Sequence, residues 1–218
     1  LFYPVQYEGE ESSKNVFYTG AAPNQQEIPA TDYYLDELGV KKFALLGTDY
    51  VYPRTTNKIL KQYLIDKGIP ESDIFVNYTP FGHSDWSKIV SDVVSLGADG
   101  KKVGVISTIN GDANIGFYKE LAAAGVKADD IPVVAFSVGE EELSGLDTTN
   151  LVGHLAAWNY FQSAESDLNT SFIKAWKSKM GDKRVTNDPM EAHVIGFEMY
   201  VKAVEKAGTT DVDAVRKA

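Results

Sequence analysis

The sequence of 218 residues is 44% hydrophobic and 24% charged, which is typical of a globular chain long enough for one or two domains. Its net charge of −10 argues against nucleic acid and anionic membranes as partners, because both are bound by a surplus of Lys and Arg. The absence of cysteine excludes disulfide frameworks, thiolate catalysis and cysteine-bound zinc.

The chain opens on Leu1-Phe-Tyr-Pro-Val5, the pattern of a strand and the turn that follows it. No run approaches the roughly 20 apolar residues that span a bilayer. The start has neither the Met nor the charged region of a signal peptide. We therefore expect these residues to be the interior of a longer protein, with native sequence before Leu1 and after Ala218.

Strand and helix patterns alternate over the middle of the chain. Short apolar runs predict strands at residues 42–47, 73–78, 103–108 and 132–137. Apolar residues at helical spacing predict helices at residues 54–67, 85–96 and 112–124. This alternation predicts an α/β fold with a parallel sheet covered by helices.

The pattern changes after residue 150. Leu151 to Tyr160 is a long apolar stretch, and helices are predicted at residues 168–180, 189–207 and 211–218. This tail has helices but too few strands to pair with them. We therefore expect it to join the first residues of the chain as an incomplete second lobe.

Ligands of parallel α/β sheets bind beyond the carboxyl ends of the strands. The loops in question cover residues 3–9, 47–54, 108–113 and 137–142. Tyr50 and Tyr52 follow a buried strand directly, and a tyrosine offers a flat apolar wall with one hydroxyl. The pair suits a small, planar, polar solute. The alternative is that both rings fill the space between the sheet and the next helix.

The other loops supply amide and hydroxyl groups. Gln6, near Tyr3, can donate to a carbonyl oxygen and accept from an NH₂ group, which is the complement of an amide. Simple solvation of Gln6 is the alternative. Thr108, Asn110 and Ser137 lie near helix N-termini, whose backbone N–H groups are free donors. Ordinary helix starts would use the same residue types.

The sequence contains no recognisable catalytic motif. The sequence has three widely spaced histidines, His83, His154 and His193. Ser84 and Asp85 follow His83, but adjacent residues cannot form a catalytic triad, and the pair fits a helix cap. There is no P-loop, dinucleotide-binding or G-x-S-x-G motif. Glu140–Glu142 is more typical of a first helical turn than of a metal site. We expect a protein that is not an enzyme, with no catalytic residue, metal or cofactor.

Longer segments are distinctive: Tyr3-Pro-Val-Gln-Tyr-Glu-Gly9, Phe17-Tyr-Thr-Gly-Ala-Ala-Pro-Asn-Gln-Gln26, Gly47-Thr-Asp-Tyr-Val-Tyr-Pro-Arg54 and Asp188-Pro-Met-Glu-Ala192. They resemble the substrate-binding proteins of bacterial urea ABC transporters, a family grouped with the short-chain amide and branched-chain amino-acid binding proteins. The resemblance runs over essentially the whole chain. It implies a type I periplasmic binding fold, with two Rossmann-like α/β lobes, a hinge, and the ligand in the cleft.

The resemblance also implies roles for single residues. Tyr3, with Val5 or Gln6 beside it, matches ligand contacts of the first lobe. Tyr50 and Tyr52 match a tyrosine pair of the second lobe that closes over the amide. The related amide sensor has Thr-Pro where this chain has Val5-Gln6, so acetamide and formamide stay as alternatives to urea. Further cleft residues are expected upstream of the first residue.

Crossings near residues 18–24 and 156–162 are implied as well. Residues 21–157 are then the complete second lobe, and residues 1–20 with 158–218 are part of the first. The implied function is a periplasmic receptor, with its signal peptide upstream, that captures urea or a short-chain amide and delivers it to an ABC permease. That permease would be its only contact with the membrane. The alternative is a cytosolic amide sensor of the same fold.

Overall fold

A computed structural model describes residues 1–218 and shows two compact units. Unit 1 joins Leu1–Ala22 to Asn159–Ala218, and unit 2 comprises Pro23–Trp158. The strands are β1 (Phe2–Tyr3), β2 (Phe17–Tyr18), β3 (Lys42–Thr48), β4 (Ile74–Thr79), β5 (Val103–Thr108), β6 (Val133–Ala135) and β7 (Leu155–Ala156). The helices are α1 (Glu27–Asp36), α2 (Val51–Asp66), α3 (Ser87–Leu96), α4 (Ala113–Ala123), α5 (Glu140–Leu143), α6 (Asp167–Met180), α7 (Asp188–Ala207) and α8 (Val212–Lys217).

Unit 2 contains a five-stranded sheet in the order β4-β3-β5-β6-β7, and every neighbouring pair of strands is parallel. The predicted α/β fold with a parallel sheet is therefore confirmed. Thr48 of β3 pairs with Thr79 of β4, and Gly47 of β3 pairs with Thr108 of β5. Because these strands end in register, the loops that follow them lie side by side at one edge of the sheet.

Both faces of this sheet are covered by helices. Phe43 and Leu45 belong to an apolar cluster shared with α1 and α2, while Ala44 and Leu46 belong to a second cluster shared with α3 and α4. Successive residues of β3 thus point to opposite faces, as the period of a strand requires. Burial on both faces explains why the sequence of β3 is continuously apolar.

Most of the predicted elements are confirmed to within a few residues. Helix α2 begins at Val51, three residues earlier than predicted. Helix α1 has no counterpart in the predictions, because its buried residues are Glu27, Thr31 and Tyr34 and the apolar spacing that marks a helix is missing. The apolar stretch of residues 151–160 forms only the two-residue strand β7.

Unit 1 pairs β1 with β2 in parallel and packs α7 against β1. The three predicted helices of the tail are confirmed as α6, α7 and α8. Oδ2 of Asp188 accepts hydrogen bonds from the backbone N–H groups of Asn159 at 2.8 Å and Tyr160 at 3.0 Å. Asp188 therefore ties the start of α7 to the segment that enters unit 1.

None of the helices is both long and apolar enough to cross a membrane.

Candidate functional site

The loops after β3, β4 and β5 are joined to each other at the carboxyl edge of the sheet in unit 2. The backbone N–H of Asn110 donates to Oγ1 of Thr48 at 2.9 Å, which ties the loop after β5 to the end of β3. The backbone N–H of Asp49 donates to the carbonyl oxygen of Thr79 at 2.7 Å, which ties the loop after β3 to the end of β4. We call this edge the strand-end site, comprising residues 48–52, 79–82 and 108–111.

Three aromatic side chains form a row across the strand-end site. The ring centroid of Tyr50 lies 5.1 Å from that of Phe81 and 6.3 Å from that of Tyr52. Phe81 is 64% exposed, whereas Tyr52 is only 4% exposed. This aromatic row therefore presents a flat apolar surface at its Phe81 end and is anchored in the core at its Tyr52 end.

A buried carboxyl group holds Tyr52. The tyrosine hydroxyl donates to Oε1 of Glu27 at 2.6 Å, and Glu27 has no exposed surface. Burial raises the pKa of Glu27 to about 7, although the hydrogen bond from Tyr52 acts in the opposite direction. The Tyr52 hydroxyl thus has a partner inside the protein, and Tyr50 carries the more accessible ring of the pair.

The remaining predicted residues of unit 2 differ in exposure. The Thr108 hydroxyl donates to the carbonyl oxygen of Leu46 at 3.2 Å and is buried, so Thr108 supports the site from within the core. Asn110 is partly exposed, and its side-chain amide donates to the carbonyl oxygen of Thr108 at 3.0 Å. Ser137 follows β6 and is buried. Tyr50 and Asn110 are therefore the most exposed of the predicted residues of unit 2.

Charges around the aromatic row are paired or acidic. Arg54 forms an ion pair with Asp49, and its guanidinium lies 4.7 Å from the ring centroid of Tyr78. The hydrogen bond from Arg54 holds the pKa of Asp49 below its usual range. The loops after β5 and β6 carry no Lys or Arg, and they lead into Asp112 and Glu140.

The other predicted residues, Tyr3, Val5 and Gln6, lie in unit 1, where Tyr3 and Val5 are exposed and Gln6 is buried. The carbonyl oxygen of Tyr3 accepts a hydrogen bond from the N–H of Thr19 at 2.9 Å. A Cβ atom on Gly20 would lie 2.0 Å from the carbonyl oxygen of Val5, so this close approach requires glycine. The opening segment is thus fixed against the turn that follows β2.

Two residues that shape the strand-end site are not among the predicted ones: Phe81 within it, and Glu27, which binds the Tyr52 hydroxyl. Phe81 lies in a loop at the end of a predicted strand, so the same rule that selected the other loops could have found it. Glu27 gives no such signal, because a glutamate in the first turn of a helix is usually exposed and interacts with the helix dipole.

The histidines bind backbone groups rather than each other. Nε2 of His83 lies 2.7 Å from the carbonyl oxygen of Asp85, and Nδ1 of His154 accepts from the N–H of Val133 at 3.1 Å. Burial lowers the pKa of His154, which favours the neutral ring that can accept this bond. No three His, Asp or Glu side chains come together as a group that could hold a metal ion.

A parallel sheet with helices on both faces and polar loops at its carboxyl edge is typical of α/β proteins that bind small molecules. The family follows from comparison with known proteins. A periplasmic binding protein domain matches residues 1–218, so the chain belongs to that family. The Leu/Ile/Val-binding protein homolog 3 of Brucella melitensis biotype 1 is 25% identical over 205 residues, which cover 92% of this chain and 51% of that protein.

Solved structures show the same fold. An amino acid ABC transporter substrate-binding protein from Pseudomonas fluorescens Pf-5 has a TM-score of 0.79 and 16% identity, over 99% of this chain and 57% of that one. A solute-binding protein of an ABC transporter from R. palustris, in complex with 4-hydroxybenzoate, has a TM-score of 0.76 and 21% identity, over 93% of this chain and 54% of that one. The chain thus spans about half the length of these relatives.

The predicted type I periplasmic binding fold is confirmed by these comparisons. The prediction that the chain is not an enzyme agrees with its family and with relatives that are named as binding proteins.

Proposed function

We propose that the chain is the ligand-binding part of a bacterial periplasmic receptor that delivers a solute to an ABC permease. Its membership of the periplasmic binding protein family supports this role. Unit 2 is then the complete lobe of the receptor, and unit 1 is part of the other lobe. Tyr3, Val5 and Gln6 stay candidate ligand contacts of that other lobe, and Tyr50, Tyr52 and Asn110 are those of unit 2.

The ligand of this proposal is urea or a short-chain amide. The observation that carries it is the aromatic row beside charges that are already paired, as in the Asp49–Arg54 ion pair. A carboxylate ligand in this lobe would have to be held by neutral donors such as backbone N–H groups at helix N-termini, because Arg54 beside the aromatic row is already paired with Asp49. A neutral planar amide needs only a flat wall and a few hydrogen-bonding groups, which Tyr50 and Asn110 supply.

Calorimetry on the full-length protein tests the proposal, with urea, acetamide, formamide, leucine and 4-hydroxybenzoate as separate titrants. We expect saturable binding of urea or a short amide. Tyr50→Ala removes a wall of the site and should weaken this binding by roughly fivefold, because an aromatic contact contributes about 1 kcal/mol. Lys58→Ala, an exposed change on the same helix, is the matched control and should leave the affinity unchanged.

Each contrary result removes a different part of the proposal. Binding of leucine or 4-hydroxybenzoate in place of the amides contradicts the ligand and leaves a solute receptor. An unchanged affinity in Tyr50→Ala contradicts the site. Binding of no compound in the panel contradicts the amide receptor altogether.

A further inference from the structure

We infer that Glu27 is a positioning residue of the strand-end site, whose buried carboxyl group holds Tyr52 and, through it, the first turn of α2 beside Tyr50. The inference rests on the proposed function for the identity of the ligand, but the contact itself belongs to the ligand-free protein. Glu27 does not contact the solute and acts only through Tyr52.

The carboxyl group is itself held in a fixed place. Gln26 precedes Glu27, and its side-chain amide donates to the carbonyl oxygens of Ala157 at 2.6 Å and Phe136 at 3.3 Å. These bonds attach the start of α1 to the segments at the ends of β6 and β7. Glu27 thus begins its helix from an anchored residue, and the Tyr52 hydroxyl meets its Oε1 at 2.6 Å.

The bond between Tyr52 and Glu27 acts at the start of α2, where the Asp49–Arg54 ion pair and backbone hydrogen bonds of Asp49 and Tyr50 also lie. Tyr50 stands at the N-cap position in an extended conformation, and its side chain does not cap the helix. The second residue of α2 is Tyr52, so its bond to Glu27 acts within the first turn. Any displacement of Tyr52 would move the neighbouring Tyr50 ring, and with it the centre of the aromatic row.

The protonation state of Glu27 decides whether burial of its carboxyl group is favourable. Tyr52 is the group that faces the carboxyl from α2, and no charged side chain contributes to the shift of the Glu27 pKa to about 7. On its own helix, the Thr31 hydroxyl donates to the Glu27 backbone carbonyl oxygen rather than to the carboxyl group. The second carboxyl oxygen, Oε2, is buried without a hydrogen-bond partner.

A carboxylic acid fits this environment and a carboxylate does not. An ionised Glu27 would be stabilised only by the Tyr52 hydroxyl and the backbone N–H of Glu27 itself, and burial makes that charge costly. Hydration of the carboxylate requires α1 and α2 to separate where Tyr52 now lies. We therefore expect the site to lose its arrangement as the pH rises through about 7, the pKa to which burial raises this carboxyl group.

The experiment follows the ring of Tyr52 by NMR in full-length, ligand-free protein labelled at tyrosine, and measures urea affinity on the same samples. In the wild type, we expect the Tyr52 ring signal to titrate with a midpoint of about 7. The urea Kd should rise by up to roughly tenfold across that titration, the effect of losing one hydrogen bond that holds the site in place. Glu27→Gln keeps an acceptor for Tyr52 without an ionisable proton and should remove both pH dependences.

The inference is overturned if the Tyr52 ring signal of the wild type does not change with pH. It is also overturned if this signal titrates equally in Glu27→Gln. If urea fails to bind at any pH, the proposed ligand is contradicted. The ring titration and its loss in Glu27→Gln still decide the role of Glu27. If Glu27→Gln does not fold, Tyr52→Phe provides the second test. In Tyr52→Phe the titration is followed at the side-chain carboxyl carbon of Glu27 in protein labelled at glutamate. Removal of the hydroxyl should raise the Glu27 midpoint further, since that bond favours the ionised form, and an unmoved midpoint contradicts the contact.

Discussion

At the scale of single residues, Glu27 positions Tyr52 and also makes the free energy of unfolding depend on pH. Its pKa is raised from 4.5 to about 7 because the folded protein buries the carboxyl group. The folded state therefore keeps a proton that the unfolded chain releases between these two values. Stability from this group is complete below about pH 4.5 and is lost as the pH rises to about 7, after which it levels off.

Glu27→Gln should remove this dependence. One pH unit of differential protonation is worth about 1.4 kcal/mol, so the variant should gain on the order of 3 kcal/mol over the wild type between acidic and mildly alkaline pH. Guanidinium chloride unfolding, followed by tryptophan fluorescence across this range, measures the difference. Parallel pH profiles of the two proteins would show that Glu27 is hydrated or compensated in the folded state.

At the scale of elements, Gln26 joins the first helix of unit 2 to the sheet. Its buried amide donates to Ala157 after β7 and to Phe136 after β6. Gln26→Leu keeps the volume but leaves these carbonyl oxygens without this donor, which should lower the free energy of unfolding by about 1–3 kcal/mol. Guanidinium chloride unfolding measures this loss. Asn24→Ala is an exposed control nearby and should stay within about 0.5 kcal/mol; equal effects of both changes would contradict the role of Gln26.

The predictability of an element depended on what its buried face carries. The strands β3 and β5 are apolar over most of their length because both of their faces are buried. The helix α3 buries Ile89, Val90 and Val93 at helical spacing. Helix α1 buries Glu27 and Thr31 instead, and such residues indicate an exposed surface when only the sequence is known.

The candidate site shows the same limit. The strand-end rule located Tyr50 because it needs only the position of a strand in the sequence. The neighbourhood of Tyr50 and Phe81 depends on the pairing of β3 with β4, and the pattern of apolar residues does not specify the order of strands. The bond between Tyr52 and Glu27 depends in turn on the packing of α1 against α2.

At the scale of the whole molecule, the two units differ in how much of their apolar surface they cover. Unit 2 has apolar clusters on both faces of a five-stranded sheet. Unit 1 has two strands of two residues each, and large side chains of its helices are exposed, among them Leu168 at 85% and Phe197 at 67%. Unit 2 therefore has the structural basis for independent folding, since a domain needs a core of its own.

We expect a fragment of residues 23–158 to fold by itself. Its sheet is covered on both faces, so it should unfold in one cooperative transition with the stability of an ordinary domain, about 5 kcal/mol or more. Near-ultraviolet circular dichroism and guanidinium chloride unfolding measure this.

The matched control is a fragment of residues 23–150, because it lacks β7 and the carbonyl group of Ala157 to which Gln26 donates a hydrogen bond. It should be less stable by several kcal/mol, as an edge strand and a buried hydrogen bond are lost together. A fragment of residues 23–158 without fixed aromatic packing would show that the core of unit 2 forms only with the rest of the chain.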